Sequence, residues 1–489
     1  MSRVLIVAND VVGRQMAGPG IRCFEFARQL AGGGHQVTLA APGRGDLEGE
    51  PFAIVEATGA RIQQLGSTHD VAVVQGFALE QFPTLRHPGL RLVVDLYDPF
   101  PLALLEQFAA EPMPRRQGEH TSTLAAAHTQ LRAGDFFLCA SEQQRDFWLG
   151  ALTAMGRVNP ATHTDDRRLR RLIDVVPFGL PEAAPVATGP GPRGTIPGIA
   201  PGDLLLLWGG GIYNWFDPLT LIRAVARLTP TLPRLRLLFL STTHPNPNVP
   251  AMWMLGAARR LAEELGLTGR HVFFNDSWVP YSERANWLLE ADIGVSTHFD
   301  HIETRFAFRT RILDYLWAGL PILCTAGDTL AEMVSRSGLG LTVPPEDVDA
   351  ASSALARLGG DPALRRACAD QVRAEAQRLT WDRCTAPLVR FCAEPRAAAD
   401  RADAPVSLAL VVAEGGVVTT RRSGPGALAL AGARLAARLR AGRLGRLGLE
   451  ARRLTRRAVV ILRTEGLGGI RRGARRWRAK RRHHPPPAA

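Results

Sequence analysis

The chain is almost without lysine: Lys480 is the only one among its 59 lysines and arginines. Any anion bound by the preceding residues must be met by arginine guanidinium groups, by backbone N–H groups, or by both. A Walker-type loop, which needs a lysine, is therefore excluded there, and no Gly-x-Ser-x-Gly elbow is present. Cysteine is sparse and unpatterned. The six, at positions 23, 139, 324, 368, 384 and 392, form no Cys-x-x-Cys pair. They read as buried reduced thiols of a cytosolic protein. No His/Cys/acid set has the spacing of a zinc site, so no metal and no cofactor are expected. No apolar run approaches the ~18 residues of a membrane span. The opening Val4–Ala8 lacks a basic leader and reads as a first β-strand, not a signal peptide.

Charge is present but unevenly placed. Residues 401–489 hold 21 lysines and arginines against 4 acids, whereas the first 400 residues hold 38 against 42. The body is nearly neutral and the tail supplies the whole excess of +13. Leu447, Leu454 and Ile461 recur at heptad spacing between arginines 446, 453 and 457, giving an apolar stripe flanked by cations. Such a stripe suits an anionic membrane surface, where each cation adds ~1 kcal/mol. It also suits nucleic acid, or an unstructured arginine-rich appendage. The membrane is the favoured partner, through residues 428–484, and nucleic acid is not expected.

Short apolar runs alternate with helical patterns, as in a doubly wound α/β chain. Residues 1–184 carry strands near Val4–Ala8, Gln36–Ala41, Val71–Gln75, Leu92–Asp95, Phe136–Ala140 and Ile173–Pro177. Residues 185–202 are rich in Pro and Gly and read as a linker. Residues 203–380 restart the alternation with Leu204–Trp208, Leu235–Leu240 and Val272–Phe274. Residues 381–395 form a last helix, and 396–489 are a linker and the arginine-rich tail.

Chemistry concentrates at 292–325, DIGVSTHFDHIETRFAFRTRILDYLWAGLPILCT. The pattern is strand, polar loop, helix from Arg311 to Ala318, glycine stop at Gly319, strand. Acids and arginines gather where the loop meets the helix start, and free N–H groups at a helix N-terminus suit a diphosphate. Arg305, Arg309 and Arg311 are candidate phosphate ligands, since a guanidinium grips two oxygens at once. Two glycine clusters stand at strand ends. Gly18-Pro19-Gly20, followed by Arg22, is a phosphate or sugar cradle or a plain turn, and it is not the Gly-x-Gly-x-x-Gly of a nicotinamide site. Gly210 and Gly211 follow Trp208. Asp98, before Pro99, either meets the reacting groups or opens a turn. Ser141-Glu142 reads as a helix cap, and Trp278 and Tyr281 as base-flanking or core aromatics. His244-Pro245-Asn246-Pro247-Asn248 has no assignment.

The 292–325 segment resembles the donor-binding region of the family 4, GT-B-fold retaining glycosyltransferases. Ser296, Glu303, Asp314, Ala318, Gly319 and Pro321 stand at comparable places. The family's second glutamate is Asp314 here, the acids are more widely spaced, and Phe306 takes the place strict spacing would give the first glutamate. The family's phosphate-binding lysine is absent. The resemblance implies two facing Rossmann-like domains with a final helix crossing back to the first. It implies metal-independent transfer of a sugar from a nucleoside-diphosphate sugar to a saccharide or lipid-linked acceptor. It assigns Asp314 to the ribose and Glu303 to the donor sugar, and places Asp98 on the acceptor side. Arg305, Arg309 or Arg311 would meet the diphosphate, and Gly18, Gly20, Arg22, Gly210 and Gly211 complete the site. Cell-envelope polysaccharide or glycolipid assembly, on the inner face of the plasma membrane, is the implied setting. A phosphorylase or epimerase on this fold, or a non-catalytic binder, is the alternative.

Overall fold

The computed structural model describes residues 1–401 apart from 44 and 251, together with the backbone of 410–412 and 418–420. The apolar runs become two parallel sheets. In the first, β1 (Arg3–Val7), β2 (Gln36–Ala41), β3 (Ala53–Glu56), β4 (Val71–Gln75), β5 (Arg91–Asp95), β6 (Phe136–Cys139) and β7 (Ile173–Val175) lie in the order β3-β2-β1-β4-β5-β6-β7. In the second, β8 (Leu204–Trp208), β9 (Leu235–Phe239), β10 (Val272–Phe274), β11 (Ile293–Ser296), β12 (Ile322–Thr325) and β13 (Gly340–Val343) lie in the order β10-β9-β8-β11-β12-β13. Central strands such as β4 are apolar on both faces and fully buried, as helices on both faces of a parallel sheet require. The strand order reverses beside β1 and beside β8. That is where an open α/β sheet leaves a crevice at its carboxyl edge.

Six helices position the cleft: α1 (Gly18–Gly32), α2 (Phe100–Gln107), α3 (Glu142–Ala154), α4 (Ile302–Phe306), α5 (Arg311–Ala318) and α6 (Trp381–Ala393). Ser141 caps α3, its Oγ accepting from the Gln144 N–H at 3.1 Å. Gly18-Pro19-Gly20 is not a turn but the first turn of α1, with proline where its missing N–H costs nothing. Gly20 is needed for a different reason from the cradle expected of it. A Cβ there would lie 2.2 Å from the Val11 carbonyl oxygen of the loop after β1.

The final helix packs on the first sheet. Phe391 stacks on Phe136 at 4.9 Å, and the Ser2 hydroxyl donates to the Cys392 carbonyl. One buried apolar cluster runs from the α1 face of the first sheet, through Phe178, Leu180 and Trp381, to Ile312 and Leu316 of α5. Residues 185–202 form no regular element, yet Arg193 fastens them to the second sheet through Glu290 and Asp292. All six cysteines are free and buried. No helix among the described residues is long and apolar enough to cross a membrane. Residues 403–489 form a separate unit whose described part is an antiparallel pair, β14 (Leu410–Val412) and β15 (Val418–Thr420). The heptad stripe and the basic run of 428–484 lie outside the described residues.

Gly20→Ala is expected to destabilise the fold by about 1–3 kcal/mol, because the added methyl overlaps backbone and not a mobile side chain. Denaturant unfolding of the two proteins checks this.

Candidate functional site

The carboxyl ends of both sheets open on one cleft of about 500 Å³, within the range of small-molecule sites. From the first domain come Asp10 after β1, the start of α1, Asp98 after β5, and α2. From the second come Gly209–Gly211 after β8, His244 and Asn246 after β9, Trp278 and Tyr281 after β10, and Glu303, Arg309, Arg311 and Asp314.

Several polar contacts hold the two domains together around it. The Asn246 amide donates to Asp10 at 2.8 Å, which places the unassigned Pro/Asn loop as a bridge across the cleft. The Trp278 indole donates to the Met16 carbonyl at 2.9 Å, and the Tyr281 hydroxyl to Glu25 at 3.0 Å. The fully buried Gln144 amide donates to Tyr97 of its own domain and to Phe306 of the other, at 2.7 and 2.9 Å.

The three expected phosphate arginines have three different fates. Arg305 is exposed on α4 and does not line the cleft. Arg309 lines it but is already engaged. Its two terminal nitrogens grip Glu303 at 2.9 and 2.6 Å, and both residues are buried. Arg311, at the start of α5, is 7% exposed. One of its terminal nitrogens donates to the Gly211 carbonyl at 2.9 Å, and the other has no protein partner among the described residues. Its guanidinium lies over the rings of Phe216 at 3.9 Å and Trp208 at 4.4 Å. No carboxylate among the described residues pairs with it. Burial pulls its pKa down to about 10, as expected for a cation moved from water without a counter-ion. Gly210 beside it has φ +96°, a conformation that leaves the Gly209–Gly211 backbone lining the cleft without a side chain in the way.

Arg22 departs from expectation. It does not line the cleft and is 0% exposed. Its guanidinium grips Asp95 at 2.7 and 2.9 Å and donates to the Val176 carbonyl at 2.8 Å. The rings of Phe26, Tyr97 and Phe178 surround it within 5.0 Å. A guanidinium so committed is a support beneath the cleft floor. Gly20 likewise faces the Val11 loop, while Gly18 and the uncapped start of α1 do reach the cleft.

The carboxylates are brought together across the domains. Asp98 sits opposite Glu303. Burial, then repulsion from Glu303, pushes the Asp98 carboxyl up to about 7, with Arg309 opposing. Glu303 is additionally 3.6 Å from His301. Asp314 is further along the cleft, its side chain 38% exposed, with the Arg284 guanidinium at 3.2 Å. Burial raises its carboxyl despite Arg284. Arg284 lies over Tyr281 at 3.7 Å and Trp317 at 4.3 Å. Arg284, Gln144 and Tyr315 were not singled out in the sequence. The Tyr315 hydroxyl accepts from the Gly209 N–H at 2.8 Å and contacts the Val295 carbonyl at 2.7 Å, fixing the glycine loop to β11. Its only sequence signal is its place one residue after Asp314.

No protein-family model and no curated protein sequence matches the chain. Solved structures do match in fold. Sucrose-phosphate synthase from Thermosynechococcus elongatus aligns with a TM-score of 0.54 at 15% identity, over 80% of this chain and 98% of that one. WaaG, a glycosyltransferase involved in lipopolysaccharide biosynthesis, aligns at 0.56 and 18%, over 81% and 99%. Anabaena HepE, in complex with UDP-glucose, aligns at 0.55 and 13%, over 81% and 99%. The fold is the GT-B arrangement of two Rossmann-like α/β domains.

Arg22→Met leaves Asp95 buried without its counter-charge and is expected to cost about 3–5 kcal/mol of stability, read by denaturant unfolding. For Asp98 the sign is set by its raised pKa. The folded protein binds the proton more tightly than the unfolded chain, so stability from this group falls as pH rises through about 7. The melting temperature of Asp98→Asn should match the parent near pH 4 and exceed it increasingly up to pH 8, as a paired pH series of thermal melts would show.

Proposed function

We propose that the chain is a metal-independent retaining glycosyltransferase of the family 4 kind. It transfers a hexosyl group from a nucleoside-diphosphate sugar to a hydroxyl acceptor, in cell-envelope polysaccharide or glycolipid assembly. The observation that carries the reading is Arg311, a buried guanidinium with no counter-ion and one unpartnered nitrogen among the described residues, beside a bare glycine loop in the cleft. A diphosphate supplies the missing negative charge and accepts bidentate hydrogen bonds. The uncapped N-terminus of α1 adds N–H groups and a partial positive charge from the opposite domain.

In this reading Asp314 holds the ribose hydroxyls and Glu303, fixed by Arg309, holds a sugar hydroxyl. The C1–O bond of the donor breaks with its electron pair going to the diphosphate. Arg311 and the helix ends, already oriented before the reaction, stabilise that charge. The acceptor oxygen bonds to C1 on the same face, and its proton passes to the departing phosphate oxygen. Ionised Asp98 orients the acceptor hydroxyl. HepE was solved with UDP-glucose, which makes uridine nucleotides the first probes. Peripheral docking on an anionic membrane through residues 428–484 belongs to the same proposal. The bidentate hold of Arg309 on Glu303 also fits a protein that binds a nucleotide sugar without turning it over.

Thermal shift and calorimetry with UDP, GDP, dTDP and their sugars should reveal one preferred nucleotide. Arg311→Met should weaken it about 10- to 100-fold, the loss of a charged hydrogen-bonded contact, and Asp314→Ala should weaken it as well. If no nucleotide binds the parent protein, both readings fall. Binding with no transfer to any acceptor selects the second.

A further inference from the structure

Charge in the cleft is divided by domain. Its cationic and imidazole groups, Arg284, Arg309, Arg311 and His244, all belong to the second domain. Among the described residues of the first domain, no arginine, lysine or histidine lines the cleft, whereas Asp10, Asp95 and Asp98 do. Asp95 is already neutralised by Arg22. Asp10 and Asp98 have no cation from their own domain. The start of α1 is the one positive feature of this wall, and it lies against Thr310, next to Arg311.

The wall also offers acceptors in place of donors. Strands β1, β4 and β5 are neighbours in the first sheet, so their carboxyl ends form a strip roughly 10 Å wide. Asp10 stands three residues past β1, Gln75 ends β4, and Asp98 stands three residues past β5. Asp10 is 5% exposed. Its Oδ1 accepts from the Val11 N–H and the Asn246 amide, both at 2.8 Å, while Oδ2 has no protein partner among the described residues. Gln75 is 3% exposed and donates to Asp95 at 3.4 Å, which leaves its carbonyl oxygen free of protein partners among the described residues. Asp98 makes no ion pair and no side-chain hydrogen bond among the described residues. The half-buried rings of Phe77 and Phe100, edge-on at 5.9 Å, line the cleft beside them.

A phosphate or carboxylate brought against this strip meets two carboxylates and no offsetting cation. A hydroxyl donates one hydrogen bond and leaves the charge of both acids standing. An ammonium has three donors, no acceptor and the missing charge, and aromatic faces attract it further. The strip does not face the nucleobase of the transferase reading. The base is tied to the ribose at Asp314, whose charged neighbours are Arg284 and Arg311, whereas Asp98 confronts Glu303 at the donor sugar.

Resting on the transferase reading above, we infer that the acceptor carries a protonated amine, which binds Asp98 on the strip between Asp10, Gln75 and Phe100. The second oxygen of Asp98 stays available to the acceptor hydroxyl, so the acceptor is an amino sugar or a similar amino alcohol. A cation at this place relieves both the burial and the repulsion that hold the Asp98 carboxyl at about 7.

The test uses the full chain at pH 7 with the preferred nucleotide present. Methyl glucosides bearing an amine at carbon 2, 3 or 6 are titrated by calorimetry, each beside its N-acetyl form, methyl glucoside and glucose 6-phosphate. The expected result is that at least one amine binds about 10- to 100-fold tighter than methyl glucoside and than its own N-acetyl form, the worth of a charged hydrogen-bonded contact. Asp98→Asn should erase that gain. Asp10→Asn, whose Oδ1 can keep both hydrogen bonds, should reduce it. Thermal shift with nucleotide reports in the same samples that each variant is folded and that the donor site is intact. If no amine binds more tightly than its neutral counterparts, or if glucose 6-phosphate binds more tightly than every amine, the inference is overturned while nucleotide binding leaves the transferase reading standing. A gain that persists in both variants places the ammonium elsewhere and overturns it too. If nucleotide binding is absent from the parent, the failure belongs to the transferase reading and the cationic acceptor falls with it.

Discussion

A positive charge taken out of water without a counter-ion is costly, and Arg311 carries one. The surroundings of this guanidinium account for much of the second domain's local design. The faces of Trp208 and Phe216 supply the negative side of their rings, and the Gly211 carbonyl accepts one hydrogen bond. These partly offset the desolvation and leave one nitrogen uncommitted. Tyr315 then fixes the glycine loop, and α5 fixes the backbone of Arg311 itself. Nearby Arg309 is neutralised by Glu303 and becomes part of the frame. Two arginines two residues apart thus do different things, and the difference lies in which of them has a carboxylate.

The architecture was legible because parallel strands buried on both faces are written as continuous apolar runs. Gln36–Ala41, Val71–Gln75, Leu204–Trp208 and Val272–Phe274 stand where those runs predict, and α5 spans Arg311 to Ala318 as its period and Gly319 predict. The two strands of the parallel sheets with no such signal are edge strands. Ala53–Glu56 and Gly340–Val343 are half-exposed, so their composition is mixed and their runs are short.

The site was legible in its segment but not in its partners. Arginines look alike in a sequence, and their roles depend on residues far along the chain. Arg22 meets Asp95 across 73 positions, and Arg311 meets Gly211 across 100. The same holds for the loop at His244–Asn248. Its prolines and asparagines mark an irregular segment, but only the approach of Asp10 gives Asn246 its purpose.

Gln144 spends one buried amide on both domains, beside the place where Asp98 confronts Glu303. Any movement that parts the domains separates those two carboxylates and admits water to both. Asp98 would then lose much of what makes it hold a proton, and one would leave as the cleft opens. The amide that ties the domains together therefore also maintains the surroundings that keep the Asp98 carboxyl high.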